Sequence, residues 1–141
     1  MKHIFETKVY YADTDAYGVV WHGSYLRWLE KGRVELCDML GLDLIAMKNA
    51  DVLLPVTNMN VRYKASARLN DSIIIESWIE KCNGLSVTFK QTIREKETNR
   101  LFIEAVFDVV AISEAGKLYR RMPEDIAHKL QKGIEACQAC V

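Results

Sequence analysis

The chain has 141 residues, half of them hydrophobic, and its 19 lysines and arginines balance its 19 aspartates and glutamates. This length and apolar content favour a single globular domain over residues 1–141 and exclude a disordered chain. The neutral charge balance gives no indication of nucleic-acid binding. No apolar run reaches the roughly 20 residues that a membrane span requires.

The first seven residues lack the apolar core and small-residue cleavage site of a signal peptide, so we expect a cytoplasmic protein. Four cysteines fit that compartment. Cys37 and Cys82 fall in predicted regular elements, where a free cysteine packs as a small hydrophobe. Cys137 and Cys140 supply only two ligands at a chain terminus, so we interpret them as incidental thiols. The sequence therefore implies no metal and no cofactor.

The first predicted element is a strand over residues 3–12, where apolar and charged side chains alternate. If the extended path continues, Tyr11, Asp13 and Asp15 point to the same side, because strand side chains repeat every two residues. Gly18 then provides the freedom for a turn.

From about His22 the hydrophobic spacing becomes that of an α-helix. Its apolar stripe consists of Leu26, Leu29, Leu36 and Leu40, with Tyr25, Trp28 and Met39 beside it. Gly41 is typical of a residue that ends a helix. The predicted helix has about five turns, enough to be the central element of a small fold.

Four stretches of strand character follow a short connection over residues 42–50: Val52–Tyr63, Ser72–Lys81, Leu85–Glu95 and Leu101–Ser113. Turn residues at 82–84 and 97–100 predict an antiparallel meander. The fourth stretch is apolar on both faces, which predicts a central strand that is covered on both sides. A short strand at 118–121 and a last helix opened by Pro123 complete the chain.

This order of elements predicts an α+β fold with the long helix on one face of a curved antiparallel sheet. Too little apolar material remains to cover the other face of the sheet. The sequence therefore predicts association with another copy of the chain.

Acids and a histidine gather where the first strand gives way to the long helix, and this combination is typical of acid–base or nucleophilic catalysis. Asp15 and His22 are the candidate catalytic residues. The helix that begins there presents unpaired N–H groups and the positive end of its dipole. Such a helix end stabilises a developing oxyanion.

Residues 13–25, DTDAYGVVWHGSY, resemble the signature of the hotdog-fold acyl-CoA thioesterases. That signature reads D-x-D-x-x-G-x-V, an aromatic residue, histidine or tyrosine, and then an S/N-Y pair. The likeness is to the branch of 4-hydroxybenzoyl-CoA thioesterase and, more closely, to the Tol–Pal-associated acyl-CoA thioesterases. Residues 61–71 resemble the family's YK-x-PA-x-x-GD segment, with Ser66 in place of proline and Asn70 in place of glycine.

The resemblance implies a long helix wrapped by a curved sheet, in a homodimer or homotetramer whose active sites lie at the dimer interface. It implies hydrolysis of an acyl-CoA to a carboxylic acid and free coenzyme A. Asp15 matches the catalytic carboxylate, acting as nucleophile or as general base for water. His22 matches a histidine that assists water, and its backbone N–H matches the group that polarises the thioester carbonyl.

Several alternatives stay open at this point. Asp15 also suits an Asx-turn, and Asp13 suits a hydrogen bond that fixes the loop. Tyr11, Gly18 and Tyr25 are candidate substrate-side residues, although both tyrosines also suit packing roles. A dehydratase of 3-hydroxyacyl thioesters and a non-catalytic hotdog oligomer that binds acyl thioesters or proteins are the alternative functions. The residues also leave open the acyl chain and the choice between coenzyme A and acyl carrier protein.

Overall fold

The computed structural model describes residues 2–139, with side chains described through Ile134. The strands are β1 (Lys2–Lys8), β2 (Val56–Tyr63), β3 (Ser72–Cys82), β4 (Ser86–Glu95) and β5 (Leu101–Val110); the helices are α1 (His22–Met39), α2 (Leu44–Asn49) and α3 (Glu124–Ala139). A 3₁₀ turn spans Tyr11–Asp13. The side chain of Cys137 and all of Cys140 lie outside the described residues. No helix of the described part is long and apolar enough to cross a bilayer.

The five strands form one antiparallel sheet in the order β1-β3-β4-β5-β2. Strands β3, β4 and β5 follow one another in the chain, which confirms the predicted meander. Strand β2 pairs with β5 and not with β3, so the connection over residues 64–71 crosses the sheet. It ends beside the segment after β1, where the N–H of Val9 donates to the carbonyl of Asp71 at 2.9 Å.

One face of the sheet packs against α1. Along β3 every second side chain is buried, which is the alternation expected of a strand with one covered face. Leu29 and Leu36 of the predicted helical stripe are fully buried. A Cβ on Gly32 would lie 2.5 Å from Ser77 Oγ, so the missing side chain allows the helix to approach the sheet closely.

A buried amide also joins α1 to the sheet. The Nε2 of Gln91 donates to the Leu29 carbonyl and to Ser77 Oγ, each at 2.7 Å. Its Oε1 accepts a hydrogen bond from Arg33 Nη1 at 3.0 Å. Because both donors and the oxygen of the buried Gln91 amide have partners on α1 or the sheet, these bonds fix the rotation of the helix on the sheet.

The other face of the sheet is only partly covered by this chain. Strand β5 lies between β4 and β2, as predicted for an interior strand, and Ile103 and Phe107 are buried on its inner face. On its outer face Glu104 is exposed and Val106 is only half-buried. The expected cover on both sides of β5 is therefore only partial within the described residues.

The predicted end of the first strand and the predicted start of the second strand are wrong. The first strand ends at Lys8, because the chain turns into the 3₁₀ segment whose start is held by Asp13 Oδ2 accepting the Tyr10 N–H at 2.9 Å. Strand alternation therefore does not place Tyr11 and Asp15 on one side. The second strand begins at Val56, directly after Pro55, which has no N–H to donate to a ladder.

At the C-terminal end, β5 stops at Val110, short of the predicted Ser113. The predicted strand at 118–121 is reduced to one bridge between Leu118 and Ile112. The end of the long helix is as predicted, since Gly41 has φ +79°, a conformation that glycine adopts without steric cost.

Candidate active site

Asp15 lies in a tight hairpin between the 3₁₀ turn and α1. Its N–H donates to the Val19 carbonyl at 2.9 Å, and the Gly18 N–H returns a bond to the Asp15 carbonyl at 3.0 Å. Thr14 and Val20 extend the pairing by one bridge. Gly18 has φ +79°, so a residue with a side chain would be strained there. The hairpin places Asp15 beside the residues that lead into α1.

The carboxylate of Asp15 is half-buried, and its Oδ1 accepts a hydrogen bond from the Tyr17 N–H at 2.8 Å. The Asx-turn that the sequence allowed is therefore present. Among the described residues no donor reaches Oδ2, so one carboxylate oxygen is available to a ligand. A depression of about 480 Å³ opens over it, lined by Tyr11, Thr14, Asp15, Ala16, Gly18 and Leu69.

Asp13 holds the loop together. Besides the bond from Tyr10 to its side chain, its carbonyl accepts the Trp21 N–H at 2.9 Å and the Ser24 hydroxyl at 3.0 Å. These contacts tie the 3₁₀ turn to the first turn of α1. The structural role predicted as an alternative for Asp13 is thus the one that its contacts display.

The helix α1 begins at His22, whose side chain is exposed. No acceptor among the described residues takes the backbone N–H of His22 or Gly23. Since these are the first donors of an α-helix, they form a site of positive potential. The Trp21 ring lies across Gly23, where any Cβ would collide with it.

Two tyrosines anchor this helix start. Tyr63 donates its hydroxyl to the His22 carbonyl at 3.1 Å, and its ring meets that of Tyr25 edge-on at 5.7 Å. Tyr25 is buried, and its hydroxyl oxygen accepts the Ala67 N–H at 2.9 Å. Burial raises the pKa of both phenols above their ordinary value.

The second motif, residues 61–71, packs against the hairpin. The Val20 N–H donates to the Ala67 carbonyl at 2.9 Å. A turn follows in which Asp71 Oδ2 accepts the Arg68 N–H at 2.8 Å. Asn70 has φ +72°, a region that asparagine tolerates better than most residues, which explains how it replaces glycine.

The predicted site residues therefore fall into three places. Tyr11, Asp15 and Gly18 line one depression. His22 lies at the exposed start of α1 and Tyr25 lies in the core, and neither lines that depression. Sequence reasoning assigned no role to Tyr63. Its place in the second motif, residues 61–71, was the signal that could have identified it. The catalytic and substrate-binding assignments stay predictions.

The family model of the thioesterase-like superfamily matches residues 9–130, a span that contains both motifs. The chain belongs to this superfamily. The acyl-CoA thioester hydrolase YbgC of Escherichia coli O6:H1 is 35% identical over 125 residues, which are 89% of this chain and 92% of that protein. The acyl-CoA thioesterase YbgC of Haemophilus influenzae is 29% identical over 115 residues, covering 81% of this chain and 82% of that one.

Solved structures of the superfamily share the fold. The DHNA-CoA thioesterase of Staphylococcus aureus superposes with a TM-score of 0.86 at 27% identity, covering 98% of this chain and 93% of that one. These findings confirm the resemblance, the α+β hotdog fold and the class of thioester hydrolase that the two motifs predicted.

Proposed function

We propose that this protein hydrolyses acyl-CoA thioesters to a carboxylic acid and free coenzyme A, with Asp15 as the reacting carboxylate. The observation that carries the proposal is the position of Asp15: one oxygen is fixed by the Tyr17 N–H, and no described residue donates to the other. A carboxylate held in this way is oriented and still reactive.

Two routes fit this arrangement. In the first, Asp15 attacks the thioester carbonyl carbon, the C–S bond breaks, coenzyme A leaves as its thiolate, and water hydrolyses the acyl anhydride. In the second, Asp15 accepts a proton from water as the water attacks the same carbon. In both, the N–H groups of His22 and Gly23 donate to the carbonyl oxygen as negative charge develops on it. The His22 imidazole is exposed and can position the water.

We further propose a homodimer formed through β2. This strand is an edge of the sheet, and Val56, Met59 and Tyr63 are 44%, 55% and 49% exposed. The opposite edge, β1, carries charged residues along its length, which discourages pairing. A second copy would also cover the neighbourhood of Asp15, where Tyr11 is 82% exposed. Sedimentation should give a multiple of 16.2 kDa, and a tetramer would additionally cover the outer face of the sheet.

Cytoplasmic location stays a prediction, which cell fractionation would test.

The activity is tested by release of free thiol from short, long and aromatic acyl-CoAs. Asp15→Asn keeps an oxygen for the Tyr17 N–H and removes the charge, so we expect kcat to fall by about a hundredfold or more with the fold intact. Asp13→Asn is the matched control, because it makes the same chemical change at a residue whose contacts are structural. Full turnover in Asp15→Asn would overturn the assignment of Asp15, and no thiol release from any substrate would favour the non-catalytic alternative.

A further inference from the structure

A second cavity lies beside the middle of α1. It has a volume of about 260 Å³ and is lined mainly by apolar side chains of α1, α2, β4, β5 and the start of β2, where Val56 contributes. Its polar residues are Arg33 and, one helical turn before it, Glu30. The thioesterase chemistry described above uses no residue of this cavity.

Arg33 is a guanidinium with most of its hydrogen-bonding capacity unused. Its Cζ lies 3.9 Å from the centre of the Phe107 ring, and Nη1 donates to Gln91 Oε1. No carboxylate among the described residues forms an ion pair with it, and Glu30 is exposed to solvent. Arginine carries five N–H donors in a planar fork that matches a carboxylate. Stacking on Phe107 and the bond to Gln91 hold that fork in place.

The position of the cavity at the start of β2 decides whether it can serve the active site of its own copy or that of the partner. Within one copy Arg33 follows His22 by eleven residues, which is about 16 Å of helix. Val56, at the first end of β2, lines the cavity, whereas Tyr63, at the last end, contacts the His22 carbonyl. Antiparallel pairing of two β2 edges brings opposite ends together, about 5 Å apart across the ladder. In a dimer whose two β2 strands pair over their full length, the helix start held by the partner's Tyr63 lies next to Val56 and the cavity.

We propose that the Arg33 cavity of one copy receives the far end of the acyl group bound at Asp15 of the other copy, and that Arg33 selects acyl groups ending in a carboxylate. This inference rests on the proposed thioesterase function and on the β2 dimer. The substrate class is the monothioester of a short dicarboxylic acid with coenzyme A. The apolar walls contact its methylene chain, and the guanidinium donates two parallel hydrogen bonds to its carboxylate.

The first test compares adipyl-CoA with hexanoyl-CoA, which have the same chain length and differ in the terminal carboxylate. We expect wild type to favour adipyl-CoA in kcat/KM, and Arg33→Met to lower the adipyl-to-hexanoyl ratio by about 10- to 100-fold, the usual value of a hydrogen bond to a charged group. Arg27→Met removes an exposed arginine of the same helix and should keep the wild-type ratio. Glu30→Gln should raise the ratio, because a nearby negative charge is removed. An unchanged ratio in Arg33→Met would overturn the inference.

The second test asks whether the cavity serves the partner. Asp15→Asn and Arg33→Met chains are mixed after unfolding and refolded together. A mixed dimer with sites shared between copies contains one wild-type site, so random pairing should restore about a quarter of wild-type adipyl-CoA turnover. If each cavity served its own Asp15, every site would contain a substitution and activity would not recover, which would overturn the shared site.

Binding separates this inference from the proposed chemistry. In the Asp15→Asn background, calorimetry should give tighter binding of adipyl-CoA than of hexanoyl-CoA, and adding Arg33→Met should remove the difference. Equal binding of both ligands would overturn the role of Arg33 whatever the enzyme hydrolyses. Selective binding combined with full turnover in Asp15→Asn would instead support Arg33 and overturn the role of Asp15.

Discussion

The hydroxyl of Tyr63 donates a hydrogen bond to the carbonyl oxygen of His22 across 3.1 Å. The last residue of an edge strand thereby holds the first residue of the long helix. In the proposed mechanism the first N–H groups of that helix donate to the substrate carbonyl, so this bond would connect the sheet edge to the position of the oxyanion donors.

Removing this hydroxyl should therefore affect rate more than stability. Tyr63→Phe retains the ring contact with Tyr25 and loses one half-exposed hydrogen bond, worth about 1 kcal/mol or less of unfolding free energy. We expect kcat to fall roughly tenfold because the helix start is less well positioned. Thiol release and urea unfolding measure the two effects. Tyr10→Phe removes an exposed hydroxyl and is the control; a loss of stability without a loss of kcat would contradict the positioning role.

Tyr25→Phe should affect stability more than rate, the opposite of Tyr63→Phe. The Tyr25 hydroxyl accepts the N–H of Ala67, a residue with no exposed surface, so its loss leaves a buried donor unpaired. Such a donor costs about 1–3 kcal/mol of unfolding free energy. Chemical denaturation measures that loss directly. An unfolding free energy within error of wild type would show that the Ala67 N–H finds another acceptor.

Gly32→Ala tests the close approach of α1 to the sheet. Alanine favours a helix by about 0.5–1 kcal/mol over glycine, but its Cβ would lie 2.5 Å from Ser77 Oγ and 3.0 Å from Gln91 Nε2. We expect a net loss of thermal stability from overpacking, about 1–3 kcal/mol. Adding Ser77→Ala should recover part of it, since the nearest atom is removed. Because Ser77→Ala also removes an acceptor of Gln91 Nε2, the single Ser77→Ala variant is measured as well; a double variant in which the two losses simply add would contradict a clash with Ser77.

Cys37 should make stability depend on pH in the alkaline range. Desolvation raises the pKa of its buried thiol from the ordinary 9.0 to about 11. Well below pH 9 the thiol is protonated in both states and this contribution is complete. Between about pH 9 and 11 the folded state binds more protons than the unfolded state, so the unfolding free energy falls as pH rises, by roughly 2–3 kcal/mol in total.

Denaturation of wild type and Cys37→Ala at several pH values measures this contribution. The variant lacks the thiol and keeps the tyrosines that also titrate in this range, so the difference between the two curves isolates Cys37. A difference that stays constant from pH 8 to 11 would contradict the raised pKa.

The separation of the elements along the chain could be predicted from local patterns. Period-3.6 spacing located α1 because it reports one buried helix face, Gly41 located the end of that helix, and stretches of strand character bounded by turn residues located β2 to β5. The end of the first strand and the start of β2 were predicted wrongly, for local reasons that strand propensity does not include. Asp13 capped a 3₁₀ turn where a strand was expected, and Pro55 delayed the start of β2.

Part of the candidate site could likewise be predicted from the sequence, and part could not. Asp15, Gly18 and His22 lie within eight residues of one another, so the sequence alone placed a carboxylate, a turn and a helix start together and supported the family resemblance. The bond from Tyr63 to His22, the bond from Ala67 to Tyr25 and the stacking of Arg33 on Phe107 join residues 41, 42 and 74 positions apart. Only the tertiary structure decided these contacts, because they depend on which strands pair and in which register, and local sequence does not encode the partner of a strand.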